Sequence, residues 1–280
     1  MIQDIAPHIY HNEYQPQAPD LHSYLLVYEN GEILLKKEND TLTLPQFREL
    51  EGKTEQLYEN YVYLFSIDED RFYLIPHLDP SLLAGYHFDN IRTLRTAGPQ
   101  HLAFAGVTGY QLYLWYQRRQ YCGICKTPMI HSKKERMMYC PECKNPEYPP
   151  LSPAVIVAIT HGDKLLLSKY EGRNYKKYAL IAGYAEIGET IEETVHREVL
   201  EEVGLKVKNL RYYKSQPWSF SGTLLFGFFC DLDGDDSITL DREELSMAEW
   251  FHRDDIPDEG EDISLTKEMM MAFKYGNEPL

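Results

Sequence analysis

One run of residues, Gly183 to Leu205, restricts this chain more than any other part of it. It reads GYAEIGETIEETVHREVLEEVGL and fills every defined place of the pattern G-x5-E-x7-R-E-U-x-E-E-x-G-U, where U is aliphatic. From Thr190 to Val203 it predicts a helix. Thr190 is the N-cap, Glu193 follows three residues on at the spacing of a capping box, and Gly204 is the stop. Glu198, Glu201 and Glu202 then fall at i, i+3 and i+4 and share one face. Three like charges there repel. A solvated acidic helix bears that cost in water, whereas hard divalent cations between carboxylates and a phosphorylated substrate relieve it. Arg197 is placed to pair with a neighbouring glutamate and hold it. The loop ahead of the helix favours the cation reading. Gly183 and Gly188 permit unusual backbone angles there, and Glu189 stands just before the helix start.

A second pattern is independent of the first. Cys122-Gly-Ile-Cys125 and Cys140-Pro-Glu-Cys143 are separated by fourteen residues, a pair of C-x2-C knuckles suited to tetrahedral zinc. Two disulfides are the alternative, but two-residue knuckles favour metal, and nothing upstream reads as a secretory signal. Cys230 lies in the apolar run Leu224 to Cys230 and reads as a buried strand residue.

The run at Gly183 resembles the Nudix box, the signature of hydrolases that cleave a nucleoside diphosphate linked to another moiety. That resemblance implies an α/β/α sandwich with a mixed sheet, Mg2+ or Mn2+ held by the helix glutamates, and water attacking phosphorus. Ser215-Gln216-Pro217-Trp218, eleven residues after Gly204, is followed by Ser219-Phe220-Ser221-Gly222-Thr223. This resembles the S-Q-P-W-P-F-P-x-S segment of the NADH pyrophosphatases, the NudC-type branch of the Nudix hydrolases. That branch also carries a four-cysteine zinc ribbon ahead of its catalytic domain, and with the amino-terminal domain the resemblance covers nearly the whole chain.

Carried over, it implies Glu198, Glu202 and Glu244 as metal ligands, with the Ala182 carbonyl as an addition and Glu201 for metal or water activation. Glu201 or Glu189 would take the proton of the water. Tyr148, Tyr184 and Trp218 correspond to stacking surfaces for nicotinamide or adenine, with Gln216 and Glu135 as polar contacts. Ser215 and Thr223 belong to the same segment. Ser219 and Ser221 stand where the segment has prolines, which leaves the loop less pre-ordered and adds hydroxyls able to bind phosphate or ribose. The implied substrates are NADH and NAD+, or the NAD cap of an RNA 5′ end. ADP-ribose, another dinucleotide, or a nucleotide-sensing regulator without catalysis stay open beside them. The family suggests a homodimer.

At 280 residues and 43% hydrophobic content the chain can bury real cores. No apolar run approaches the roughly 20 residues needed to span a bilayer, and thiolate ligands for zinc point to a reducing cytoplasm. A net charge of −16 opposes non-specific binding to long polyanions but not to a dinucleotide that meets bound cations first. Basic residues gather only locally, as at Lys133-Lys134-Glu135-Arg136.

Three domains are expected: an amino-terminal α/β domain over 1–118, a zinc ribbon over 119–149, and a Nudix catalytic domain over 150–280. In the first, strands Tyr24 to Tyr28 and Ile33 to Lys36 flank an Asn30-Gly31 turn. Tyr61 to Ile67 pairs with Phe72 to Ile75, and a helix lies within His101 to Gln120. In the last, Ala154 to Thr160 and Lys164 to Ser168 form a hairpin. Further strands are read at Lys177 to Ile181, Leu210 to Lys214 and Leu224 to Leu232, with a closing helix around Ile263 to Tyr275.

Overall fold

Ala154 to Ile159 is apolar without interruption, the pattern of a strand covered on both faces. In the structure, a computed structural model describing residues 1–54, 58–172, 177–258 and 263–279, it is the middle of strand β1 (Ser152–His161). Two compact units divide the chain. One comprises Leu151–Trp218 and Gly222–Leu280 with Met1, and the other comprises Ile2–Pro150 with Ser219–Ser221.

The first unit is built on a mixed sheet. Its strands are β1, β2 (Lys164–Tyr170), β3 (Ile181–Tyr184), β4 (Val207–Trp218), β5 (Thr223–Leu232) and β6 (Leu245–His252), and its helices are α1 (Ile191–Val203) and α2 (Leu265–Lys274). The order is β4-β5-β1-β2-β6, with β3 also on β1. β1 runs parallel to β5 along its length. On its other side β1 pairs with β3 over Ala154 to Val157 and turns into β2 only at Thr160 and His161, so the sheet is split there.

The pleat sorts β1 by parity, as a period of two demands. Val155, Val157 and Ile159 pack with Val195, Val199 and Val203 of α1, while Ile156 and Ala158 pack with Met269, Met270 and Phe273 of α2. A helix on each face gives the expected α/β/α sandwich. α1 begins with Thr190 accepting from the Glu193 amide and Glu193 returning to the Thr190 amide, the reciprocal box read from the sequence. It ends at Gly204 with φ +69°, a left-handed C-cap that glycine adopts freely.

Two expectations move. Lys177 to Ile181 is not a strand: Ala179 makes an isolated bridge to Ser168 of β2, and the ladder to β1 begins only at Ile181. The edge strand β6 was not anticipated. Its residues lack clean alternation, and its place is fixed by pairing with β2 across an irregularity at Lys169/Tyr170.

In the second unit, the stretch expected as one strand divides between two sheets. Tyr24–Leu26 runs parallel to Asp70–Leu74, and Tyr28–Glu29 forms the Asn30-Gly31 hairpin with Glu32–Glu38. The helix Gln100–Arg118 packs closely through Gly109, where a Cβ would stand 2.4 Å from Leu26 Cδ1. Three short strands, Pro146–Glu147, Met138–Tyr139 and Ile130–His131, form the sheet of the cysteine segment. Among the described residues, no helix is long and apolar enough to cross a membrane.

Candidate functional site

The acidic face of α1 is organised by one side chain. Arg197 Nε donates to Glu189 Oε1 at 2.7 Å, and Nη1 donates to Glu198 Oε1 at 2.7 Å and Glu201 Oε2 at 2.9 Å. Nη2 donates to Glu189 Oε2 and to the Tyr184 carbonyl, both at 2.9 Å. All five N–H groups of the guanidinium are therefore engaged, joining the loop, the helix and the end of β3.

Glu189 is fastened more firmly than the others. Besides Arg197 it accepts from the Thr194 hydroxyl at 2.9 Å and from the Glu186 amide at 3.1 Å. The Arg197 guanidinium and these bonds hold its carboxyl down to about 2, and the same pairing raises the pKa of Arg197. Thr194 was not singled out in the sequence. The signal that could have found it is a hydroxyl in an otherwise apolar stripe with Val195 and Val199.

Glu198 is in a different state. Its side chain fits into space that Gly183 leaves open: a Cβ there would lie 1.9 Å from Glu198 Cδ and 2.1 Å from each oxygen. Burial raises the Glu198 pKa, with smaller contributions from the Glu201 and Glu244 charges, against the lowering effect of Arg197. Glu202, one helical step away, is 2% exposed, whereas the Glu201 side chain is 57% exposed. Glu244 lies just ahead of β6, its carbonyl accepting from the Glu171 amide at 2.8 Å. Ala182 adjoins Gly183 in β3 and pairs with Ile156. A glycine cradle holding a buried carboxylate, beside further carboxylates that raise its pKa, fits a hard divalent cation with oxygen ligands.

The aromatic and polar candidates fall in several places. Tyr184 is 54% exposed, and its hydroxyl lies 3.3 Å from Thr223 Oγ1. Trp218 ends β4 opposite Thr223, which begins β5. Ser215 pairs with Phe226 and is exposed. Gln216 is fully buried. Its Nε2 donates to the Ile263 carbonyl at 2.8 Å and its Oε1 accepts from the Leu265 amide at 2.7 Å, so this amide serves the start of α2. In the other unit, the Tyr148 hydroxyl donates to Glu135 at 2.9 Å, and Tyr148 is exposed.

Residues 150–271 match the NUDIX domain family. This segment is a Nudix domain. The NAD-capped RNA hydrolase NudC of Klebsiella pneumoniae subsp. pneumoniae is 40% identical over 168 residues, 60% of this chain and 65% of that protein. The Shigella flexneri protein of the same name is 44% identical over 149 residues, 53% of this chain and 58% of that one. The chain thus spans less than two thirds of the length of these relatives. Among solved structures, a NUDIX hydrolase from Nitrosomonas europaea covers 57% of this chain and 94% of its own, at 21% identity and TM-score 0.49.

Ahead of the Nudix domain, Cys122, Cys125, Cys140 and Cys143 have their sulfurs within 4.8 Å of one another. All are free thiols, with Cys122 to Cys143 at 3.5 Å and Cys125 to Cys140 at 3.4 Å, well beyond a disulfide bond. The two knuckles have matching backbones. The Cys122 amide donates to the Thr127 carbonyl and the Cys140 amide to the Asn145 carbonyl, each at 2.9 Å. Lys126 and Lys144 occupy equivalent positions at φ +64°. Four convergent thiols in paired knuckles are a ligand set that could hold zinc.

Proposed function

We propose that this protein is a hydrolase that splits the pyrophosphate of NADH or NAD+ into nicotinamide mononucleotide and AMP and removes NAD caps from RNA 5′ ends. The observation that carries the reading is the continuity between the acidic cluster and the SQPW strand. Tyr184 gives its carbonyl to Arg197 and brings its hydroxyl to Thr223, which pairs with Trp218. Ring-binding surface thus begins where the carboxylates end, as a substrate with a flat base beside a pyrophosphate requires. The shared identity with proteins named NAD-capped RNA hydrolase supports the same choice.

Glu198, Glu202 and Glu244, with the Ala182 carbonyl, would hold Mg2+ or Mn2+, which neutralises phosphate charge and acidifies water. The chain's own groups divide the remaining work. Glu201 is the exposed carboxylate of the face and is assigned to take the proton of the attacking water. Glu189, held near 2, is a weak base and instead fixes Arg197. Arg197 is a positioning residue, keeping Glu198 and Glu201 at set places on α1. Tyr184 and Trp218 are assigned to stack the rings, with Ser215 and Thr223 offering hydroxyls. Gln216 is assigned to support the SQPW strand through α2, and Tyr148 and Glu135 to further substrate contacts. Zinc at the four cysteines, a homodimer and a cytoplasmic setting complete the proposal.

The test is turnover of NADH in Mn2+ by the wild type and by Glu202→Gln. The wild type should cleave it. The variant should keep its melting temperature and lose at least about 100-fold in kcat, the scale of a misplaced catalytic group. A variant with wild-type kcat would refute the assignment.

A further inference from the structure

The second unit contains a cleft of about 670 Å3 that the chemistry of the Nudix domain leaves unused. Tyr14 with residues 16–18, 61–63 and 131–133 supplies most of its walls. Its size lies within the range of small-molecule sites, and its lining is rich in rings: Tyr14, Tyr61, Tyr63 and His131. These rings are braced. The Tyr14 hydroxyl donates to the Ser132 carbonyl at 3.1 Å, joining two walls. Tyr61 and Tyr63 meet Tyr73 edge-on at 5.5 and 5.6 Å between centroids, and His131 leans on Tyr116 at 5.0 Å.

Positive charge accompanies the rings. Lys133 lines the cleft and is exposed. The Arg136 guanidinium lies 5.3 Å from the centre of the Tyr14 ring and donates to the Asn12 carbonyl at 3.2 Å. Its Nη2 also reaches Asn12 Oδ1 at 3.5 Å. Glu59 is the one acid among the described lining residues. In a chain of net charge −16, Lys133 in the lining and Arg136 over the Tyr14 ring are a local reversal of the general field. Aromatic platforms beside cations are how proteins hold unpaired bases together with their phosphates.

We propose that this cleft binds a nucleotide, with the base against the tyrosine rings and the phosphate at Lys133, supplied either as a free mononucleotide or as one link of single-stranded RNA. Binding here needs no hydrolysis, so the proposal stands or falls apart from the cleavage of NADH. The probes are AMP, followed by calorimetry, and a 3′-labelled oligoadenylate with a 5′-hydroxyl, followed by fluorescence anisotropy. Full-length wild type is compared with Lys133→Glu and Tyr61→Leu. Lys133 is exposed, so its exchange leaves the fold intact, as an unchanged melting temperature will verify. Affinity for at least one probe should fall about tenfold in each variant, the scale of one lost base stack or phosphate contact, with turnover of NADH unaltered in Lys133→Glu. Loss confined to AMP assigns the cleft to a free nucleotide, and loss for the oligoadenylate assigns it to RNA. Unchanged affinity for both probes in Lys133→Glu overturns the proposal, as does a loss seen only in Tyr61→Leu together with a lowered melting temperature.

Discussion

Gly183→Ala isolates the close approach on which the acidic cluster depends. The backbone permits it, since Gly183 is not among the residues at positive φ. The obstacle is Glu198, whose Cδ would lie 1.9 Å from the new methyl group. Restoring an ordinary contact of about 3.5 Å displaces the carboxylate by about 1.5 Å. That movement breaks the 2.7 Å bond from Arg197. A hydrogen bond to a charged group contributes about 1.5–3 kcal/mol, and the partial exposure of Arg197, 28%, places this one at the lower end. Melting should therefore fall by only about 3–6 °C. Activity should fall much further, because a displacement of about 1 Å in a catalytic constellation costs about 100-fold. Turnover of NADH across a Mn2+ titration, alongside a thermal melt, separates the two effects. Gly123→Ala is the control, since nothing lies within 4 Å of its Cβ position. Wild-type kcat and metal dependence in Gly183→Ala would refute the reasoning.

Two further outcomes follow from the same geometry. Cys122→Ser should lose the bound zinc, read by elemental analysis, and lower the melting temperature, because a structural site contributes its binding energy to folding; unchanged metal content and melting would contradict the ribbon. Glu189 has its folded pKa lowered from 4.5 to about 2, so its stabilisation is present above pH 4.5 and is lost as pH falls toward 2. The stability gap between wild type and Glu189→Gln, measured by urea unfolding, should shrink through that window, and a gap constant with pH would rule out the Arg197 pairing as its source.

What could be read from the sequence was whatever is decided within a few residues. The capping box at Thr190, the stop at Gly204 and the shared face of Glu198, Glu201 and Glu202 are local, and the structure forms each of them. The thiol cluster also follows from two short knuckles, each closed by its own backbone bonds. Features set by distant partners were not legible. Strand β6 exists because β2 offers it an edge, and β3 starts at Ile181, two residues after Ala179 is bridged to Ser168 of β2. Gln216 sits in a motif that suggests a substrate contact, yet its amide is bonded to Ile263 and Leu265, some fifty residues later in the chain. Arg197 was placed to hold one glutamate, but its contacts to Glu189 and Tyr184 required knowing how the loop folds back over the helix.

The central claim is hydrolysis of a pyrophosphate joined to nicotinamide riboside. Its most direct test is to incubate the purified protein with Mn2+ or Mg2+ and NADH, NAD+, ADP-ribose or NAD-capped RNA, and to identify the products by liquid chromatography. Nicotinamide mononucleotide and AMP are expected from NADH or NAD+, and 5′-monophosphate RNA from the capped substrate. Cleavage of ADP-ribose alone, or of none of the four, would contradict it.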